Sequence, residues 1–89
     1  MKTHWNIRFF GSVQGVFFRQ FLKDLAGKYN ITGLARNEPD GSVYVELEGE
    51  EKSLQTFLDI CKNYKPAKIT DVSKTTGESK NFTEFAIEY

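Results

Sequence analysis

The chain has 89 residues, with 12 Lys or Arg against 12 Asp or Glu, so its formal net charge is zero. Such a length builds one small core, which predicts a single domain over residues 1–89, and balanced charge supplies no bulk field for nucleic acid or an acidic membrane surface. No apolar run approaches the ~20 residues of a membrane span, "MKTHWNIRFF" lacks the apolar core of a signal peptide, and Cys61 is the single cysteine; a reducing, cytoplasmic setting without an internal disulfide is expected.

In chain order, Trp5, Ile7 and Phe9 alternate with Asn6 and Arg8, the period-two pattern of a strand with one buried face, and Gly11 ends it. His4 falls on the polar phase of this strand without carboxylate or cysteine neighbours, so it is expected at the surface and not on a metal. After a loop, Phe18, Phe21, Leu22, Leu25 and Tyr29 recur at spacings of three and four, predicting a helix that stops near Tyr29 and Asn30. The stretch "ITGLARN" extends again from Ile31 to Asn37, "EPDG" supplies turn residues, and Val43, Val45 and Leu47 alternate with Tyr44, Glu46 and Glu48. Strand alternation puts those glutamates on a solvent face.

Gly49 precedes Glu50 and Glu51, suited to the positive first turn of a second helix, and Leu54, Phe57, Leu58, Cys61 and Tyr64 form its apolar stripe up to Lys65-Pro66. Cys61 is therefore a core residue, not a nucleophile. Ile69 and Val72 mark a weaker strand, "SKTTGESKN" reads as one exposed hairpin, and Phe85, Ile87 and Tyr89 alternate as a final strand to the last residue.

This order of elements matches a split β-α-β, ferredoxin-like α+β sandwich: a mostly antiparallel sheet with two helices on one face. The first two strands, joined through a helix, run parallel, so the loop after the first strand lies at the same sheet edge as the end of the second. Arg19 and Asn37 are thereby brought together.

From Ser12 to Phe18 the loop has little side-chain chemistry, but its amides lead into a helix start whose first N–H groups have no internal partner. Gly15 allows a sharp turn, the helix dipole adds positive charge, and Arg19 adds a planar fork able to hold two phosphate oxygens. Neither the nucleotide G-x-x-x-x-G-K-[ST] nor the dinucleotide G-x-G-x-x-G pattern is present, which favours a small phosphorylated group. On these residues alone a second reading stands equally: Gly11 and Gly15 only make the turn, and Arg19 is a solvated helix residue.

The stretch "GSVQGVFFR", Gly11 to Arg19, resembles the acylphosphatase signature G-x-V-Q-G-V-x-[FY]-R at every fixed position. "GLARNEPDGSVYVELEG" is similar to that family's second signature through Gly33, Asn37, Gly41, Val43 and Gly49, and the resemblance spans essentially the whole chain. Leu34, Ala35 and Phe10 depart from the common pattern at positions that look like packing.

The resemblance implies a metal-independent hydrolysis of acyl phosphates to carboxylate and inorganic phosphate; no cofactor is expected, and a monomer is the simplest expectation. In it Arg19 matches the phosphate-binding arginine, acting with the backbone amides of Gln14, Gly15, Val16, Phe17 and Phe18, and Asn37 matches the asparagine that orients the attacking water. Alternation turns the Glu38 carboxylate away from this site. Phe18 opens the helix stripe, which leaves Phe17 for the pocket mouth and the acyl group, although aromatic residues serve in both settings.

Two rivals belong to other classes. An RNA-recognition module shares the element order but needs exposed aromatics and a basic face, whereas the third strand places Tyr44 beside Glu46 and Glu48; no nucleic-acid or membrane partner is expected. A carbamoyl-phosphate-binding domain of a larger assembly is the second, against which nothing follows Tyr89 and a free-standing enzyme is the expectation.

Overall fold

Alternate burial begins at once: Trp5, Ile7 and Phe9 are buried on one face of β1 (Thr3–Ser12) in the computed structural model, which describes residues 2–89. The chain continues through α1 (Phe18–Lys28), β2 (Thr32–Asn37), β3 (Val43–Gly49), α2 (Glu51–Cys61), β4 (Lys68–Gly77) and β5 (Phe85–Glu88). The strands form one sheet in the order β4-β1-β3-β2-β5. β1 and β2 each pair antiparallel with β3, so they run parallel to one another with β3 between them, and their C-terminal ends share one end of the sheet. β5 pairs parallel with β2, in register Gly33 with Phe85 through Arg36 with Glu88, and so ends there too.

Both predicted helical stripes meet the apolar face of the sheet. Phe18, Leu22, Leu25 and Ala26 of α1 and Leu54, Phe57, Leu58 and Cys61 of α2 pack with Ile7, Phe9, Val43, Val45 and Leu47 in one core. Each large side chain buried this way contributes about 1.5–3 kcal/mol. Burial pushes the Cys61 thiol up in pKa, so it stays protonated, as a core residue should. Leu34 and Ala35 are buried as well, in keeping with packing roles. Among the described residues no helix is long and apolar enough to cross a membrane.

β4 is far longer than its own apolar pattern predicts. It pairs along β1 from Ser12 with Lys68 to His4 with Gly77, past a register shift between Phe10 and Gly11. Gly11 has φ 119°, and a β-carbon there would overlap the Lys68 carbonyl oxygen, so glycine is what lets the two strands close at this bulge. The segment "SKTTGESKN", expected as a hairpin, instead supplies Ser73–Gly77 to this edge strand, and residues 78–84 cross to β5. The open edge of β1 supplied the hydrogen-bond partners that the hydrophobic pattern of β4 could not announce.

The polar phase of β1 and β3 is also not a solvent face. His4, Glu46 and Glu48 are 3%, 4% and 0% exposed, which overturns the surface placement predicted for the histidine and the glutamates. His4 Nδ1 lies 2.8 Å from Glu48 Oε2, and His4 Nε2 lies 2.9 Å from Asn6 Oδ1 and 3.1 Å from Glu46 Oε1. Lys80 Nζ sits 2.8 Å from Glu46 Oε1. The crossing segment roofs this cluster: the Lys80 and Phe82 amides donate to the Glu48 carboxylate, and the Phe82 ring stacks on His4 with centroids 6.1 Å apart. Burial alone would raise the Glu48 carboxyl, but the Lys80 amide, the His4 ring and the Phe82 amide outweigh it and hold the pKa down to about 2.

Candidate active site

Two left-handed residues shape the passage from β1 to α1. Gly15 has φ 74°, and Phe17, the residue before the helix, has φ 59° and ψ 25° with no side-chain cap. Among the described residues the amides of Gln14, Gly15, Val16, Phe17 and Phe18 donate to no protein acceptor. A row of such donors at a helix start, with the dipole behind it, is a site for an anion. A β-carbon on Gly15 would meet nothing within 4 Å, so the loop is open on that side.

Side-chain hydrogen bonds to distant segments hold the loop in this shape. Gln14 Nε2 donates to the carbonyls of Glu38 and Ser42, at 2.8 and 2.9 Å, tying the loop to the turn between β2 and β3. That turn is itself closed by Asp40, whose carboxylate accepts from the Ser42 hydroxyl and amide and is held below its usual pKa by those bonds. From beyond α2, the Tyr64 hydroxyl donates to the Val16 carbonyl at 2.9 Å, and its ring stacks on Phe21 and Phe18.

Arg19 stands in the first turn of α1 and Asn37 is the last residue of β2. Both line one cleft of about 490 Å3, together with Gly15, Phe17, Phe18, Ile87 and Tyr89. Of the residues expected to form a site, Gly15, Phe17, Phe18, Arg19 and Asn37 thus come together. Gln14 and Val16 do not line the cleft; the Gln14 side chain turns to the β2–β3 turn and the Val16 carbonyl to Tyr64.

Arg19 is the single charged side chain on the cleft wall. Its Nη1 donates to the Glu88 carbonyl at 2.9 Å, and its guanidinium lies 4.9 Å from the Tyr89 ring centroid. Sequence reading missed both partners. The alternation up to Tyr89 was visible, but only the parallel pairing of β5 with β2 brings that end to Arg19. The Arg36 and Glu88 side chains, 3.5 Å apart, tie the two strand ends together. The Glu38 carboxylate points elsewhere, as expected, to Arg36 Nε at 3.1 Å and Arg8 Nη1 at 3.6 Å.

Fold and cleft together define a ferredoxin-like α+β protein with an open cleft, carrying one cation on its wall, at the shared end of β1, β2 and β5. The acylphosphatase family model matches residues 5–87, and the chain belongs to the acylphosphatase family, hydrolases that act on acid anhydrides. It is similar to the acylphosphatase of Clostridium acetobutylicum, 42% identical over 91 aligned positions that cover 100% of both chains. Its fold is similar to the crystal structure of acylphosphatase from Bacillus subtilis, with TM-score 0.91, 36% identity and 100% of both chains covered. It is also similar to a part of full-length HypF in the phosphate- and nucleotide-bound form: TM-score 0.90 and 32% identity, over 100% of this chain and 12% of that one.

Proposed function

We propose that the protein hydrolyses acyl phosphates to a carboxylate and inorganic phosphate without metal or cofactor, holding the phosphoryl group on Arg19 and the loop amides and aiming water with Asn37. The observation that carries this reading is the meeting in a single cleft of one permanent cation, one exposed carboxamide and three residues with free amides, Gly15, Phe17 and Phe18. The guanidinium has five N–H donors, so the bond to Glu88 leaves enough for two phosphoryl oxygens while fixing the plane of the fork. The amides of residues 14–18 meet the remaining oxygen charge as it builds in the transition state.

Asn37 cannot deprotonate water, but its carboxamide oxygen accepts one water hydrogen and sets the oxygen in line with phosphorus. The water oxygen forms the new bond to phosphorus, the bond from phosphorus to the acyl oxygen breaks, and that oxygen leaves with the electron pair as carboxylate. One water proton stays on the attacking oxygen and the other passes to a phosphate oxygen, which gives dihydrogen phosphate from the dianionic substrate; monohydrogen phosphate follows by release of a proton to solvent. A carboxylate is already a good leaving group, so positioning and charge supply most of the acceleration.

The reading takes the protein as a monomer in the cytoplasm, and the balanced charge supplies no bulk field for a nucleic-acid or membrane partner. Phosphate release from benzoyl phosphate in excess chelator tests the reaction directly; no release above the uncatalysed rate overturns it. The likeness to part of HypF favours one second reading, a phosphate-binding module with little turnover. Tight binding of inorganic phosphate with no hydrolysis would select that alternative.

A further inference from the structure

We infer that Tyr64, which lies outside the cleft, is a positioning residue for the reaction: its hydroxyl turns the peptide between Val16 and Phe17 so that the Phe17 amide faces the phosphoryl group. The inference rests on the acyl phosphate reading and adds to it a residue that touches neither the substrate nor the attacking water. The Tyr64 hydroxyl donates to the Val16 carbonyl at 2.9 Å, across 48 positions of the chain, and among the described residues it is the sole donor to that oxygen. A peptide unit is planar, and in a trans unit such as this one the C=O and the N–H point in opposite directions. Neither Val16 nor Tyr64 is on the cleft wall, so a carbonyl drawn toward Tyr64 turns the Phe17 N–H the other way, to the side on which Gly15, Phe17 and Phe18 line the cleft.

A hydroxyl can orient a peptide only if it is itself held in place, and this one is held twice. The Tyr64 ring stacks on Phe21, with centroids 4.2 Å apart, and on Phe18 at 5.5 Å, both at the start of α1. Its amide donates to the Cys61 carbonyl and its carbonyl accepts from the Ala67 amide, so the turn after α2 fixes its main chain as well. The peptide it orients needs such a hold. Phe17 sits at φ 59° and ψ 25°, a left-handed conformation that an L residue keeps only when its surroundings impose it. A hydrogen bond accepted by the carbonyl also polarises the peptide and strengthens the N–H as a donor on its far side. Through one peptide unit, Tyr64 thereby acts on the charge of a phosphoryl group that it does not contact.

Tyr64→Phe tests this, because it removes the hydroxyl and keeps the ring stack. Its kcat/KM for benzoyl phosphate should fall about tenfold, the value of one hydrogen bond, as the amide loses its aim at charge that grows in the transition state. A kcat/KM within about twofold of wild type overturns the inference.

Proton–nitrogen NMR of the backbone amides during a titration with inorganic phosphate separates positioning from a merely structural role and needs no turnover. In wild type the Phe17 amide proton should move downfield together with those of Gly15 and Phe18, as donors to an anion do. In Tyr64→Phe the Phe17 response should be lost while the Gly15 and Phe18 responses are kept. Equal weakening of all three would show a general loosening of the loop, and a Phe17 response equal to that of wild type would show an amide oriented without Tyr64; either result overturns the inference. Absence of acyl phosphate hydrolysis in wild type, with the Phe17 response still lost selectively in the variant, would instead refute the acyl phosphate reading while the orientation of this amide by Tyr64 stands.

Discussion

Two polar regions of the same sheet have opposite fates. At one end the loop between β1 and α1 leaves its amides free, its glycine open to solvent and an aromatic residue in a strained conformation. On the helix-free face the cluster of His4, Glu46 and Glu48 is buried, and carboxylates, ring nitrogens, Lys80 and two backbone amides meet within it. Buried polar groups are tolerable when paired, so the cluster reads as architecture. Unpaired donors at a helix start, kept open to solvent, read as a place for a ligand.

Substitutions can break this contrast, and the largest effect is expected in the cluster. Glu48→Ala leaves His4 and the amides of Lys80 and Phe82 without their shared acceptor and should lower stability by about 3–5 kcal/mol, measured by urea unfolding. A loss under about 1 kcal/mol would mean that the cluster is not the closed unit described. Arg19→Lys acts on the other region: kcat/KM for acyl phosphate should drop by about 10^2–10^3 with the unfolding midpoint nearly unchanged, because one ammonium cannot reproduce a fork. A near wild-type rate would remove the two-oxygen grip.

Asn37→Ala should slow turnover by about 10- to 100-fold while inhibition by inorganic phosphate is retained, the signature of lost water positioning. Weakened phosphate inhibition in a folded protein would move Asn37 to the phosphate itself. Acid sharpens the contrast differently. The Glu48 carboxyl is held at about 2 in the folded chain against an ordinary 4.5, so its stabilising effect is present above pH 4.5 and lost as pH falls from there toward 2. Glu48→Gln should flatten that part of the stability profile, and an unchanged acid limb would assign it to other carboxyls. The smallest effect is expected for Gly15→Ala, which meets no atom but forces a side chain into φ 74°, at about 1–2 kcal/mol of strain on the loop.

Much of the fold was legible because its apolar periods are regular. Trp5, Ile7 and Phe9, the stripe from Phe18 to Leu25, and Val43, Val45 and Leu47 each predict a face that the structure buries. β4 was nearly silent, since an exposed edge strand is set by the neighbour it pairs with and not by its own hydrophobicity. His4 failed as a surface prediction for a related reason. Polar alternation normally signals solvent, and nothing local shows that residues 78–84 will fold back over that face.

The candidate site divides the same way. Gly15, Arg19 and Asn37 stand in recognisable motifs, and the order of strand, helix and strand was enough to bring them to one sheet end. By itself the sequence determined the helix-start donors, the single cation and the carboxamide, because each depends on residue type and on neighbours close along the chain. Tertiary structure alone decided that Gln14 and Tyr64 brace the loop, that Glu88 and Tyr89 hold Arg19, and that a histidine with two glutamates is buried. Those contacts join segments far apart in the chain, and such partners exist only after the strands have chosen their order in the sheet.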